Sequence, residues 1–507
     1  MDAVEALVRR AEERRVRVAS SLGAARRARL GQFFTPGRAA GLIAGLPRLP
    51  GSGALRVLDP GAGVGSLTVA LVARVLRDAP GLRVEVIAEE VDPAVAAGLG
   101  ETLADCMDVA ASGGTRVTAT AVTGDLIAEA TGMGRDSGAL AAPFDLVIMN
   151  PPYRKLGAGS VERRALLGEG VDCPNLYCAF LAAGVLALKP GGQLAAITPR
   201  SFANGPYFGA FRRFFLTAMA LDRLHVFESR SAVFGDSDVL QENIVFSATR
   251  SGQRGDVALS VSRDHTDEAG TRRVAYADVV RPGDPHQFVR IPAGEADTLT
   301  AEVFAGLPCS LADLDVQVST GRVVDFRARE HLRDQPAAGS VPLIYPGNLR
   351  EGRVCWPRPM RKAQALAACP DTRKLRLAGG RYVLTKRFSA KEERRRVVAA
   401  VYDPEDVTPG EVGFENHLNV FHHRERGLDE YLARGLCLWL NGTAVDRFFR
   451  TFSGHTQVNA TDLRSMRYPS REQLARLGSA LGHGAWPDQE KIDALVARHV
   501  FTEDEPQ

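Results

Sequence analysis

The 507-residue sequence predicts an α/β protein: a parallel sheet wound with helices, followed by a smaller α+β region. Three observations carry that expectation. Short apolar runs alternate with longer helical patterns from residue 31 to about 250. A glycine-rich turn follows the first run, and acids end the next two. Beyond about residue 296 the alternation stops, and irregular segments mixed with helix replace it.

The elements follow in order. Residues 1–30 are Arg-rich and amphipathic and read as a separate helical segment. "LRVLDP" (55–60), "LRVEVIAEE" (82–90), "RVTATAVTGD" (116–125), "FDLVIMN" (144–150) and "GQLAAITP" (192–199) read as strands. The stretches between them hold Ala, Leu and Val at helical spacing, which calls for right-handed parallel crossovers. From about 251 to 295 come short strands and polar turns. Residues 428–450, "LDEYLARGLCLWLNGTAVDRFFR", read as helix, and so does the tail from about 470. The expected divisions are 1–30, 31–295, 296–475 and a helical 476–507.

Composition limits the function classes. Hydrophobic residues are 45% and charged residues 24%, as in soluble globular domains. No apolar run is long enough for a membrane span and no secretory signal is read, so a cytoplasmic protein is expected. The seven cysteines are scattered without CxxC spacing, so neither a disulfide framework nor a zinc site is expected. His417, His422 and His423 in "NHLNVFHH" read as a surface or phosphate-facing cluster, and no metal is expected. The net charge is +3, but residues 350–396 hold fifteen Lys/Arg against four Asp/Glu. Such a block is the footprint of a phosphate backbone, or simply a solvated face. Arg394, Arg395 and Arg396 are its candidate phosphate contacts.

The loops after the strands carry the chemistry. "LDPGAGVGSLTVAL" (58–71) is a strand, a glycine turn and a helix start. Gly61 and Gly63 remove side chains where backbone must approach a ligand. The next strand ends in Glu89, Glu90 and Asp92, about 25 residues past the glycines, the spacing of a carboxylate that grips ribose hydroxyls. The third ends in Gly124-Asp125. All three tips lie on the carboxyl edge of the expected sheet, where ligands bind. Asp59 stands ahead of the glycines. It would repel a pyrophosphate but suits an ammonium group, so an adenosyl ligand with an amino-acid tail, S-adenosylmethionine, fits better than a dinucleotide.

At this point the chain resembles the gamma-order amino DNA methyltransferases, which act on adenine N6 or cytosine N4. "GQFFTP" (31–36), "LDPGAGVGS" (58–66), "EEVDP" (89–93), Gly124-Asp125, "NPPY" (150–153), "NLYCAFL" (175–181) and "LKPGGQLAAITP" (188–199) are similar to that family's motifs, in its order, over about 170 residues. "QENIVF" (241–246) and "FSGHTQVNATDL" (452–463) resemble the PstI/BsuBI-type modification enzymes. The resemblance implies a Rossmann-like S-adenosylmethionine-dependent methyltransferase domain followed by an α+β target recognition domain. The implied activity is site-specific DNA adenine-N6 methylation, with double-stranded DNA as partner. It also implies roles. Thr35 and Pro36 flank the methionine end of the cofactor. Asp59, Gly61 and Gly63 hold its amino-acid part. Glu90 grips the ribose on the E-x-D-P spacing, with Glu89 as rival. Asp125 and Leu126 contact its adenine. The catalytic motif is Asn150, Pro151, Pro152 and Tyr153: the Asn150 side-chain oxygen and Pro151 carbonyl accept from the target amine, and Tyr153 stacks on the flipped base.

Alternatives stay open. C5-cytosine chemistry needs a Pro-Cys pair, and Cys173-Pro174 is reversed. N4-cytosine enzymes more often carry Ser at position 150. Glutamine methylases of release factors share the tetrapeptide but need no basic block. RNA methylation and an inactive DNA-binding subunit are further readings. Residues 154–173 form a long polar loop, either a lid or a surface loop. His455, Thr456, Gln457 and Asn459 either read base edges or buttress the recognition domain. No nuclease constellation is present, so any cleavage partner is expected on a separate chain. A monomer is expected.

Overall fold

The computed structural model describes residues 3–22, 34–133, 143–227, 243–262, 270–292, 295–389, 393–452, 457–482 and 486–501. The chain divides between Ala293 and Gly294 into two compact units. No helix among the described residues is long and apolar enough to cross a membrane.

The first unit is built on nine strands: β1 Gly53–Pro60, β2 Leu82–Glu89, β3 Val117–Val122, β4 Phe144–Met149, β5 Leu188–Pro199, β6 Met219–Phe227, β7 Asn243–Arg250, β8 Val257–Ser262 and β9 Gly270–Val274. Their order is β3-β2-β1-β4-β5-β7-β6-β8-β9. β3, β2, β1, β4 and β5 run parallel, as expected from the strand–helix alternation. β7 enters antiparallel between β5 and β6, which the sequence reading did not anticipate. "NIVFSATR" is as apolar and as buried as its parallel neighbours, so nothing in it marks direction.

Helices cover both faces: α1 Ala3–Ser21, α2 Gly37–Gly45, α3 Ser66–Asp78, α4 Pro93–Ser112, α5 Leu126–Ala130, α6 Val161–Gly168, α7 Leu176–Ala187 and α8 Gly209–Ala218. One core joins α1, α2 and α3 to the sheet through Leu7, Ile43 and Leu71; the other joins α7 and α8 through Leu181, Phe215 and Phe246. The N-terminal helix, set apart in the sequence reading, belongs to this unit. Arg14 clamps it to α4, donating to Glu101, Thr102 and Asp105 at 2.9 Å each. Residues 154–173 are not simply a loop. They contain α6, capped by Ser160, anchored by buried Leu166 and closed by an Arg163–Asp172 ion pair.

The second unit holds a six-stranded and a five-stranded sheet of short, mixed strands. Its helices are α9 Glu295–Gly306, α10 Glu430–Leu440, α11 Thr443–Phe452, α12 Ala460–Arg464, α13 Arg471–Ser479 and α14 Gln489–Val496. The helix expected over 428–450 is two helices. Asn441 breaks it, pairing its side-chain amide with both backbone groups of Ala399 (3.1 and 3.0 Å). α10 and α13 touch backbone to backbone: a Cβ on Gly435 would lie 1.8 Å from the Leu474 carbonyl.

Candidate active site

The carboxyl ends of β1 to β5 converge on one edge, and their tips carry the motif residues. At β1, Asp59 is buried. Its Oδ2 accepts from the Thr68 hydroxyl at 2.7 Å, while Oδ1 is buried with no hydrogen bond. Burial above all, with nearby Glu90 adding to it, pushes the Asp59 carboxyl up to about 7. The turn that follows puts Gly61, Gly63 and Gly65 at φ 67°, 59° and 87°, left-handed backbone that favours glycine. A Cβ on Gly63 would also stand 3.2 Å from the Phe34 ring.

At β2 the two acids divide their work. Glu90 accepts from the backbone N–H of Gly63 (2.9 Å) and of Asp92 (2.7 Å), tying the glycine turn to its own loop. Glu89 accepts from Leu126 N–H at 2.9 Å and keeps Oε2 buried without a partner. Burial first, and then the neighbouring acids Asp125, Glu90 and Glu129, push it up to about 8. Asp92 caps α4 by accepting from Ala94 N–H. Asp125 caps α5 through Oδ1, accepting from Ile127 and Ala128, and the Leu126 side chain is buried. The Leu126 N–H is therefore engaged by Glu89. The sequence reading ranked Glu89 second, yet Glu89 is the acid with an unpartnered buried oxygen.

At β4, Asn150 follows the strand and Pro151 is buried. The Asn150 side-chain nitrogen donates to Thr35 Oγ1 at 3.0 Å. Its oxygen accepts from the Tyr153 hydroxyl at 3.1 Å, and Ile197 O lies 3.4 Å from that hydroxyl. Here Tyr153 bonds to the Asn150 amide, rather than only presenting a ring face. Its ring meets Tyr177 edge-on at 6.2 Å, and Tyr177 stacks on Phe208 at 5.8 Å. Burial raises the Tyr153 phenol. Pro36 stands at the N-cap of α2. Asn175 of "NLYCAFL" caps α7 by accepting from Cys178 N–H.

Some residues at this edge were given no role in the sequence reading, although Thr198 and Asn243 lie in stretches it quotes. Thr198 Oγ1, both side-chain atoms of Asn204, and Asn243 Oδ1 are buried without hydrogen bonds near the ends of β5 and β7. Asn243 pairs with Pro199 across the sheet, which brings the two quoted stretches together.

In the second unit the expected DNA contacts separate. Arg394 is exposed. Arg395 and Arg396 are not phosphate-facing. Arg395 donates to the Gly442 carbonyl at 2.8 Å and to Gln489. Arg396 is 1% exposed, lies over the Phe449 ring, and donates its backbone N–H to Asp446. A charge count cannot tell which way a guanidinium faces. Three other members of the block pair with acids outside it: Lys362 with Asp325, Arg376 with Glu411, and Arg381 with Asp403 and Glu405. Asn459 is at the N-cap of α12, and its backbone N–H and side-chain amide both donate to Asp462. That contact favours the buttressing reading for Asn459. Gln457 pairs with Phe388 in an isolated bridge. His455 and Thr456 lie outside the described residues.

The three histidines have separate partners: His417 with Glu415, His422 with Ser319 and His423 with Asp315. His331, Cys369 and exposed Asp371 form a His/Cys/Asp grouping. Cys369 there caps the turn at 370–375 with Thr372, which accounts for its placement.

Comparison with known proteins places this edge in context. Residues 129–234 match the Eco57I restriction-modification methylase family. The chain is 40% identical to the Type II methyltransferase M.BsuBI of Bacillus subtilis over 89% of each chain. It is 38% identical to the Type II methyltransferase M.PstI of Providencia stuartii over 94% of each chain. In fold it is similar to the Type IIL restriction-modification enzyme MmeI, solved in complex with DNA, at a TM-score of 0.54 and 11% identity, covering 92% of this chain and 72% of that one. With 40% identity spanning nearly the whole length, the chain belongs to the Type II DNA methyltransferases of restriction–modification systems, which draw their methyl group from S-adenosylmethionine.

Proposed function

We propose that this enzyme methylates the exocyclic N6 of adenine within a specific site in double-stranded DNA, as the modification arm of a restriction–modification system. The observation that carries the reading is the Asn150 side chain, held at the β4 tip between Thr35 and Tyr153 and followed by two prolines.

The residues present fit the cofactor. An ammonium group would complete the buried Asp59 Oδ1 that has no bond in the protein. The left-handed glycines admit a ligand close to backbone. Glu90 is assigned to the ribose, with Glu89 Oε2 as the neighbouring acceptor, and Asp125 and Leu126 to the adenine ring. Pro36 lies at the methionine end. When bound, S-adenosylmethionine supplies an electrophilic methyl on a sulfonium.

The chain's own work is orientation. Adenine N6 is a weak nucleophile because its lone pair is delocalised into the ring. Asn150 Oδ1 and the Pro151 carbonyl accept its two hydrogens and favour a pyramidal, attacking nitrogen. Pro151 and Pro152 fix φ, so that carbonyl is held rigidly. Tyr153 gives up its bond to Asn150 as the base enters and stacks on the flipped ring. The first unit supplies catalysis and the second target recognition. The enzyme acts as a monomer, and any nuclease is a separate chain.

The test is sequencing of DNA from cells expressing the wild type or Asn150→Ala. N6-methyladenine at one short site, absent with the variant, supports the reading. N4-methylcytosine at such a site would replace adenine with cytosine as the target.

A further inference from the structure

We propose that Thr35 is a positioning residue for Asn150, setting which end of the side-chain amide faces the target amine. The inference rests on the catalytic reading of Asn150 given above. An Asn amide rotates about a broad, roughly two-fold torsion and can present either oxygen or NH2. The target amine donates hydrogens. An Asn150 that presents NH2 meets it donor to donor, and only one that presents oxygen is productive. The Thr35 hydroxyl lies 3.0 Å from the Asn150 side-chain nitrogen, across 115 residues of sequence. Thr35 is 6% exposed, so little water is available to take its place. While Thr35 accepts from the nitrogen, Oδ1 is left toward Tyr153 and the entering base.

The placement of Thr35 has a second consequence. Its neighbour Phe34 packs its ring against the glycine turn at Gly63, and Pro36 opens α2. One short segment therefore touches both the turn assigned to the cofactor and the amide assigned to the base. Order in the turn passes through Phe34–Thr35 to Asn150. This differs from a role for Thr35 as a cofactor contact, because it acts through another side chain.

The experiment uses the full-length enzyme, tritiated S-adenosylmethionine and DNA from a host lacking the modification. Thr35→Val keeps the shape and removes the hydroxyl. It is expected to lower single-turnover methyl transfer about 10- to 100-fold, while the calorimetric affinity for S-adenosylmethionine and the KM for DNA change by no more than about 2-fold. Thr35→Ser restores the hydroxyl and is expected to recover the rate to within about 3-fold of wild type. Thr35→Val combined with Asn150→Ala is expected to be no slower than Asn150→Ala alone, because residues acting as a unit are not additive. A Thr35→Val rate equal to wild type, or a loss confined to S-adenosylmethionine affinity, overturns the proposal. If Asn150→Ala itself transfers at the wild-type rate, the catalytic reading fails first, and the two failures are told apart.

Discussion

The carboxyl edge of the large sheet and the basic stretch of the second unit both bury charge, in opposite ways. At the edge, acids crowd acids. Asp59 and Glu89 each keep a buried oxygen unbonded, and neighbouring carboxylates push both further from ionisation. In the basic stretch, Arg395 meets a carbonyl and Gln489, while Arg396 meets a phenyl ring, with Asp446 bonded to its backbone. A buried atom without a partner does not by itself distinguish the two, since Arg395 Nε lacks a hydrogen bond as well. What differs is the sign of the surroundings: acids at the edge face other acids, a situation that an added cation relieves, while the guanidiniums of the stretch meet a carbonyl, an amide and a ring within the chain. The difference marks the edge as the binding side and Arg395 and Arg396 as scaffold.

Breaking the scaffold side should have the largest effect. Arg396→Ala is expected to cost about 3–5 kcal/mol of folding stability, the range for truncating a large, fully buried side chain, read as a lower urea midpoint. A variant that keeps its midpoint and loses only DNA affinity would reverse the contrast. On the binding side, Asn150→Ala is expected to slow methyl transfer about 10²–10³-fold, roughly 2.7–4 kcal/mol, with calorimetric cofactor affinity nearly intact. Retained transfer would move the chemistry elsewhere.

Asp59→Asn tests the unbonded carboxylate. It is expected to weaken S-adenosylmethionine binding by about 1.5–3 kcal/mol, the worth of a charged hydrogen bond. The pH dependence has a definite sign. Free Asp59 titrates near 7, and an ammonium partner stabilises its ionised form. Affinity should therefore be full above pH 7 and fall as pH drops below it, by up to about tenfold per unit. Asp59→Asn should flatten that step, and a step that survives in the variant belongs to another group. The smallest effect is expected at exposed Arg394. Its replacement by Ala should leave stability within about 0.5 kcal/mol and reduce the salt dependence of DNA binding by a slope of about 0.9. A change in base preference would make it a reader of sequence instead.

The sheet was legible because short apolar runs alternate with helical patterns, and because the tips of β1, β2 and β4 carry residues with little other reason to stand there. Asp59 before three glycines, and Asn150 before two prolines, announce themselves in one dimension. The direction of β7 did not, since a doubly buried antiparallel strand has the same composition as a parallel one. The Thr35–Asn150 bond joins residues 115 apart, which no local pattern encodes. The basic block shows the same limit: the acids that meet Lys362, Arg376, Arg381 and the Arg396 backbone, namely Asp325, Glu411, Asp403, Glu405 and Asp446, all lie outside it in sequence. Asn459 stayed open between base reading and buttressing because capping and base recognition call for the same amide chemistry.

The Arg14 clamp has a practical corollary for anyone trimming this enzyme. Every motif assigned above to the cofactor or to catalysis lies at or beyond Gly31, so a fragment starting there keeps all of them on paper. It would also strip α1 from α3 and α4, uncovering the apolar surface that Leu7 and Ala11 seal and leaving Glu101 and Asp105 without their guanidinium. Newly bared apolar surface of that kind promotes self-association. The shortest fragment that contains the motifs is therefore shorter on paper than it is in solution: the working minimum includes the helix that carries no motif.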